Sequence, residues 1–295
     1  MKKVTSFGEI LFDVYPDKKT PGGAPFNFIY HIKKLTGQGN FISRVGEDDP
    51  GKNILSMAGS SKLDSYIQID KDHPTGIANA NLDKNKIPHW KIELNRAYDF
   101  IENNIEINQL IEKESNCLYF GTLAQRNEKS RKTIQSLFGK KIKYFCDLNI
   151  RQNFYSKEII ESSLNASNAV KLNMEELDLV NNLFIKKNTG IEESAKQIMG
   201  KYKIDMLCIT QGSEGAFLFQ GKDSDHCKIN VDNIVDTVGA GDAYASILCL
   251  GFLNGWNITK INKLASGFAA KIVTFPGALP NSDSVYNEFK KEFLK

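Results

Sequence analysis

One uncharged stretch, residues 243–259, is broken by Gly251, Asn254, Gly255 and Asn257. It falls short of the roughly 20 apolar residues that a membrane-spanning helix needs, so it reads as a buried core helix. The opening MKKVTSFGEI has a basic start but no long apolar region or cleavage site, so no signal peptide is expected. No basic block stands out from the net charge of +3. That argues against a nucleic-acid partner and leaves room for a mildly positive pocket for an anion. The five cysteines are an odd number without a C-x-x-C, mostly inside apolar runs such as CLYFG and YFCDL. Reduced core thiols in a cytoplasmic protein are expected. His31, His73, His89 and His226 are scattered and no H-E-x-x-H occurs, which argues against a zinc site. There is no internal repeat, low-complexity tract or flexible linker.

What is present is an ordinary globular composition, 41% hydrophobic and 25% charged over 295 residues, enough for a large core. Short apolar runs recur: KVTSFG, NFISRVG, CLYFGTL, KYFCDLN, AVKLN and MLCITQG. Between most of them lie segments with helical spacing, such as 127–138 and 191–202. This alternation predicts an α/β fold, a doubly wound and mainly parallel sheet with helices on both faces.

One region departs from it. TGIANANLDKNKIPHWKIEL alternates, with Ile77, Asn79 and Asn81 on one side and Ala78, Ala80 and Leu82 on the other. A polar turn at 83–86 precedes a second alternating run, Trp90, Ile92 and Leu94 against Lys91 and Glu93. This predicts an antiparallel hairpin, too small for its own core and suited to covering a cleft or pairing with a second copy. Ligands of open parallel sheets bind beyond the carboxyl ends of the strands. GEILFD, DLNIR, KLNMEE and TQG all fall where such ends are expected.

The stretch DTVGAGDAYAS places Gly239, Ala240 and Gly241 before Asp242 and an apolar helix. Small residues at a helix start let an anion approach unpaired N–H groups, where the dipole favours negative charge. Such a site suits a phosphoryl group in transfer, with Asp242 beside it to take a proton from an acceptor hydroxyl. The same residues read equally as a glycine loop and an aspartate N-cap. A carboxylate at a helix start is also expected to be stabilised as the anion, and so to be a weak base. No dinucleotide fingerprint, Walker A sequence or protein-kinase signature is present.

With these motifs in order, the chain resembles the ribokinase-like (PfkB) family of carbohydrate kinases over essentially its whole length. DTVGAGD resembles the family's C-terminal signature and PGGAPFN its N-terminal one. RVGEDDPG matches its V-G-x-D-x-x-G run, and KLNMEE carries N-x-x-E as Asn173 and Glu176. The resemblance implies a single kinase domain over residues 1–295, with a small β lid from about 12–22 and 74–98. It implies use of ATP and Mg2+, with Asp242 as catalytic base and the backbone of Gly239, Ala240 and Gly241 as anion hole. Asp13 and Asn27 would bind sugar hydroxyls, Gly22 and Gly23 allowing close approach, and Arg96 would join them. Asn173, Thr210 and Gly212 would lie at the nucleotide. Glu176 would organise Mg2+ through water, and Asp236 would mark a K+ site between 236–238 and 273–281. NMEE also reads as an N-cap with first-turn acids. Gly-Gly-Ala-Pro also reads as the start of a helix with Pro25 in its first turn. Asp147, Asn149 and Arg151 resemble a phosphate-side cluster, though Arg151 fits a solvated surface arginine equally. Ile29, Ile247 and Tyr244 depart from the family's usual residues and bear on helix packing.

GEILFDVYP, GGAPFN and the Arg96, Ala97, Asp99 spacing resemble fructokinases most. Conversion of fructose to fructose 6-phosphate is the activity expected, ahead of 2-keto-3-deoxygluconate kinase and ribokinase. A non-catalytic sugar-binding protein and a nucleoside kinase are readings of other kinds. The first would fit a lost Asp242 or glycine loop, the second a more apolar hairpin face. An open hairpin edge invites pairing, so a homodimer through the lids is expected, with no membrane or nucleic-acid partner.

Overall fold

The computed structural model of the chain describes residues 2–82, 88–185, 190–280 and 282–293. Its first part runs β1 (Val4–Phe7), β2 (Leu11–Val14), β3 (Lys19–Gly22), α1 (Ala24–Thr36), β4 (Asn40–Gly46), α2 (Asp49–Ser60), β5 (Tyr66–Asp70), β6 (Gly76–Leu82) and β7 (Pro88–Ile92). The middle holds α3 (Ile105–Gln109), β8 (Cys117–Phe120), α4 (Glu128–Ser136), β9 (Lys143–Asp147), α5 (Lys157–Ala166), β10 (Ala169–Asn173), α6 (Met174–Val180) and α7 (Ile191–Tyr202). The last part holds β11 (Met206–Thr210), β12 (Ala216–Gln220), β13 (Asp223–Cys227), α8 (Ala240–Leu253), α9 (Ile258–Ile272) and α10 (Ser284–Lys290).

Nine strands form one sheet in the order β13-β12-β11-β10-β9-β8-β1-β4-β5. Pairing is parallel from β11 to β5 and antiparallel at β12 and β13. Chain order reverses around β1, which makes the crevice beyond its carboxyl end a topological switch point. All six apolar runs seen in the sequence are strands of this sheet. The edge strands β5 and β13 were not legible, because solvent contact breaks their apolar pattern. The central strands bury alternate side chains in two cores. Cys117 and Tyr119 face one with α1, α8 and α9, while Leu118 and Phe120 face the other with α4, α5 and α7. Helices therefore cover both faces, as expected.

A second, four-stranded sheet has the order β3-β2-β6-β7. Its two hairpins are joined by parallel pairing of β2 with β6. Ala78 and Ala80 are buried while Ile77 and Asn79 are partly exposed, as the alternation predicts. Leu11, Ala78, Ile92, Tyr98 and Leu123 form its small core, with Trp90 and Phe154 against it. Leu94 corrects the sequence reading: it lies beyond the end of β7 and is 58% exposed. The predicted turn at 83–86 falls outside the described residues.

The RVGEDDPG run anchors this sheet to the large one. Asp48 caps α2 by accepting from Gly51 N (2.8 Å), and also accepts from Thr75 N (2.9 Å) and Thr75 Oγ1. Thr75 immediately precedes β6, so one carboxylate fixes where the small sheet leaves the main body. Among the described residues no helix is long and apolar enough to cross a membrane.

Candidate active site

Helix α8 begins two residues earlier than the sequence suggested, at Ala240 with Gly239 as N-cap, so Asp242 lies inside the first turn. Gly239 has φ 80°, a left-handed conformation that suits glycine. Among the described residues nothing accepts from the N–H of Gly241 or Asp242. These are two of the unpaired donors of a helix start. Asn27, on α1, donates from Nδ2 to Asp242 Oδ2 at 2.8 Å. Burial pushes the Asp242 carboxyl up to about 7; the Asn27 hydrogen bond and the Lys171 and Arg151 charges oppose this, and Asp147 adds to it. The expectation of a weak base is thereby corrected, because desolvation outweighs the helix dipole at this position.

The loop after β1 and the first hairpin supply two more carboxyls. Glu9 is buried, and its Oε2 has no hydrogen-bond partner among the described residues. Burial raises it to about 7, with Arg151 and Arg126 opposing and Asp242 reinforcing. Asp13 is raised by burial to about 6, against the pull of Arg151. The two glycines serve these groups. A side chain on Gly22 would sit 2.4 Å from Asp13 Oδ2, and one on Gly23 would sit 2.5 Å from the Glu9 carbonyl. Both positions therefore need glycine to fit against the protein's own carboxylate and backbone. Asn27 Oδ1 is also buried and unpaired among the described residues.

On the other side of Asp242, Lys171 points from β10 to Asp147 at the end of β9, with Nζ 3.0 and 2.9 Å from the two carboxylate oxygens. Burial alone would lower this lysine, yet the Asp147 and Glu176 carboxylates outweigh it and raise its pKa. A side chain added at Gly241 would lie 3.5 Å from Lys171 Nζ, so the ammonium borders the unpaired N–H groups. Asn173 and Glu176 form a capping box at α6: Asn173 Oδ1 accepts from Glu176 N (2.8 Å) and Glu176 Oε2 from Asn173 N (2.9 Å). Glu176 Oε1 accepts from Ile150 N at 2.7 Å, which holds the DLNIR loop. Burial and then Asp147 raise the Glu176 pKa. Asn149 stands at φ 44° in that loop, a backbone state held by its surroundings. Arg151 is exposed, yet its charge is felt by Glu9, Asp13 and Asp242.

Beyond the anion cradle lies a cavity of about 520 Å³ lined by Thr210, Gly212, Ala240, Gly241, Ile229, Val273 and neighbours. Thr210 and Gly212, singled out in the sequence, thus meet the glycine loop. Asp236 accepts from Val238 N and Gly277 N, both at 3.0 Å, and Val273 O accepts from the N–H of Val235 and Asp236. The 236–238 and 273–280 segments are therefore joined as expected; Asn281 lies outside the described residues. Arg96 lies against Glu93, just beyond the end of β7. Its Nη2 faces Glu93 at 3.9 Å, and Glu93 in turn accepts from Asn79 Nδ2 at 3.0 Å. Among the described residues no hydrogen bond or ion pair links Arg96 to Asp13, Asn27 or Asp242. Tyr244 donates to Asn262 at 2.7 Å, and Ile29 and Ile247 are fully buried, so these departures from the family's usual residues are packing positions.

Glu9 and Lys171 were not chosen from the sequence. Lys171 did carry a signal, a lysine inside an otherwise apolar strand, where a charge needs a partner. Glu9 carried none beyond its place after β1.

The donor set can be weighed against a divalent cation. Among the described residues no three His, Cys, Asp or Glu side chains gather to cage one. Both Glu176 oxygens already accept backbone hydrogen bonds, which fits a magnesium ion held by phosphates and water rather than by this carboxylate directly.

The nine-stranded α/β sheet thus places a buried carboxyl at a glycine-led helix start. The profile of the pfkB family carbohydrate kinases matches residues 1–284, and the chain belongs to that family. A putative sugar kinase of Pyrococcus horikoshii is 28% identical over 293 residues, covering 90% of this chain and 88% of its own. Its crystal structure superposes with a TM-score of 0.84 at 25% identity over the full length of both chains. Probable fructokinase-5 of Arabidopsis thaliana is 25% identical, covering 94% of this chain and 93% of its own. A double mutant of Vibrio cholerae O395 fructokinase, bound to fructose, ADP and a potassium ion, superposes with a TM-score of 0.81 at 23% identity, covering 100% and 99%.

Proposed function

We propose that this carbohydrate kinase transfers the γ-phosphoryl group of ATP to fructose, forming fructose 6-phosphate. The observation that carries the chemistry is Asp242, raised to about 7 and held by Asn27 beside the unpaired N–H of Gly241. A pKa near neutrality matches a general base to its task. In the step, the acceptor oxygen bonds to the γ-phosphorus as its proton passes to Asp242, and the bond from phosphorus to the β–γ bridging oxygen breaks to release ADP. The unpaired N–H groups at the head of α8, Gly241 among them, and the Lys171 ammonium face the charge on the equatorial oxygens, while the Ala240 N–H, expected to join them, donates to the Thr237 carbonyl at 3.3 Å. Asp13 and Asn27 hold acceptor hydroxyls, while Glu9 and Arg96 shape the pocket around them. Thr210, Gly212 and Asn173 line the nucleotide's path. Glu176 would hold the water shell of a magnesium ion carried by the phosphates, and that ion would supply neutralisation of their charge. Asp236 ties together the two segments around a K+ site.

Fructose is favoured by the fructokinases among the relatives and by the polar Asn79 on the small sheet's open side. The P. horikoshii sugar kinase has also been crystallised with ATP, and the V. cholerae enzyme with fructose, ADP and potassium. The small sheet acts as a lid over the acceptor, and its β3 and β7 edges pair lids in a cytoplasmic homodimer. A monomeric mass at micromolar protein would refute the dimer. The activity is tested by ADP release with ATP, Mg2+ and a panel of fructose, ribose, 2-keto-3-deoxygluconate, glucose and adenosine. Turnover restricted to another acceptor would overturn fructose, and none with any would overturn the kinase reading.

A further inference from the structure

Two non-glycine residues of the loop after β9 stand in the left-handed region, Asn149 at φ 44° and Gln152 at φ 49°. Asparagine tolerates this state; a glutamine in it is unusual and is held there by what it bonds. Gln152 is exposed, and its Nε2 donates to the Trp90 carbonyl in β7 at 2.7 Å. Two residues on, the Phe154 ring lies 4.6 Å from the Arg126 guanidinium. That guanidinium donates to the Glu93 carbonyl at 2.6 Å and pairs with Asp99 at 2.8 Å. One short loop thus grips the small sheet twice, on β7 and where the chain returns from it. The loop's other end is the Ile150 N–H, bonded to Glu176 Oε1 at 2.7 Å, and the second oxygen of Glu176 accepts from Asn173 N.

We infer that Gln152 is a positioning residue, the link through which a nucleotide bound at the start of α6 sets the position of the small sheet. The inference rests on the reading of Asn173 and Glu176 as the nucleotide side and of the small sheet as a lid, and adds to it the path between them. A ligand that shifts the Glu176 carboxylate shifts the Ile150 amide with it. The turn from Ile150 to Gln152 is short and conformationally restricted, so the shift reaches the Trp90 carbonyl rather than dissipating in the loop. A contiguous chain of hydrogen bonds of this kind is what carries coupling between two sites. The bond itself is exposed, and an exposed amide–carbonyl bond adds little to stability. Its loss should therefore appear in the coupling and not in the melting temperature.

The chain carries its own reporter. It has two tryptophans, and Trp90 meets Tyr15 of the neighbouring hairpin edge-on at 5.2 Å, so its emission responds when β7 moves against that hairpin. Trp256 lies beyond the far end of α8, stacked on Phe293, and Trp256→Phe leaves Trp90 alone. The test is titration of ADP with Mg2+ into that single-tryptophan protein and into the same protein carrying Gln152→Ala, followed by Trp90 emission and by calorimetry. ADP should shift the emission of the parent. Gln152→Ala should remove most of that shift, while its ADP affinity stays within about twofold and its melting temperature is unchanged. Gln152→Lys, which restores a donor, should recover part of the shift. A shift that survives Gln152→Ala would overturn the assignment of Gln152. A parent that binds ADP by calorimetry with Trp90 silent would overturn the coupling as a whole. A variant that loses thermal stability together with the shift would make Gln152 a structural residue of its loop. Failure of the parent to bind ADP at all would bring down the nucleotide reading, and this link with it.

Discussion

Asn27 Nδ2 lies 2.8 Å from Asp242 Oδ2, joining α1 to α8 across 215 residues of sequence. The amide opposes the burial that raises the Asp242 carboxyl. It therefore sets the pH at which the base becomes available.

The acid limb of the pH profile should follow. In the free enzyme kcat/KM should rise as pH passes through about 7, where Asp242 loses its proton. Asn27→Ala removes a group that favours the anion, so the limb should move to higher pH. A limb left in place by that substitution would remove Asn27 from this role.

Asp242→Asn should lower turnover by about 10²–10⁴-fold, the usual range for a general base. The same change should raise stability at pH 8. A carboxyl with a folded pKa near 7 and an unfolded pKa near 4 binds more protons when folded, so its ionisation destabilises the fold as pH climbs between the two. The gain in melting temperature should vanish near pH 4. Thermal melts at both pH values check this.

Lys171→Met alone should destabilise by about 3–5 kcal/mol, because it strands the Asp147 carboxylate in the interior. The pair of substitutions Lys171→Met and Asp147→Leu should recover most of that stability. Turnover should stay low in both, since the ammonium beside Gly241 is gone. Recovery of activity with stability would show the pair to be purely structural.

Two glycines of the anion cradle should answer differently to alanine. At Gly239 the new methyl would lie 2.4 Å from Ala278 Cβ at a left-handed φ, so Gly239→Ala should cost more than about 1 kcal/mol of stability. At Gly241 the nearest atom is Lys171 Nζ at 3.5 Å, and alanine suits a helix's first turn. Gly241→Ala should therefore keep or raise the melting temperature while lowering turnover at least about tenfold by blocking the phosphoryl approach. Unchanged turnover would remove the N–H of Gly241 from the site.

Much of this was legible in the chain. Six central strands announced themselves because both of their faces are buried, so their side chains are mostly apolar. Helix α7 was read to its bounds because its apolar stripe recurs at the helical period. Motif order identified the family and put Asp242, Asn173 and the glycine loop in one cleft. The edge strands β5 and β13 were not legible, since solvent replaces part of the core that would have written their pattern.

The sequence by itself determined the order of strands and helices, the family, and which residue types stand at the strand ends, because periodicity and turn chemistry are local. Only the tertiary structure decided that Asp242 is raised toward neutrality, that Glu9 and Lys171 border it, that Gly22 and Gly23 fit closely against Asp13 and the Glu9 backbone, and that Arg96 lies beside Glu93. Each of these depends on burial and on charges brought together from distant segments. Desolvation and Coulomb interaction act through space, and a sequence carries no distances.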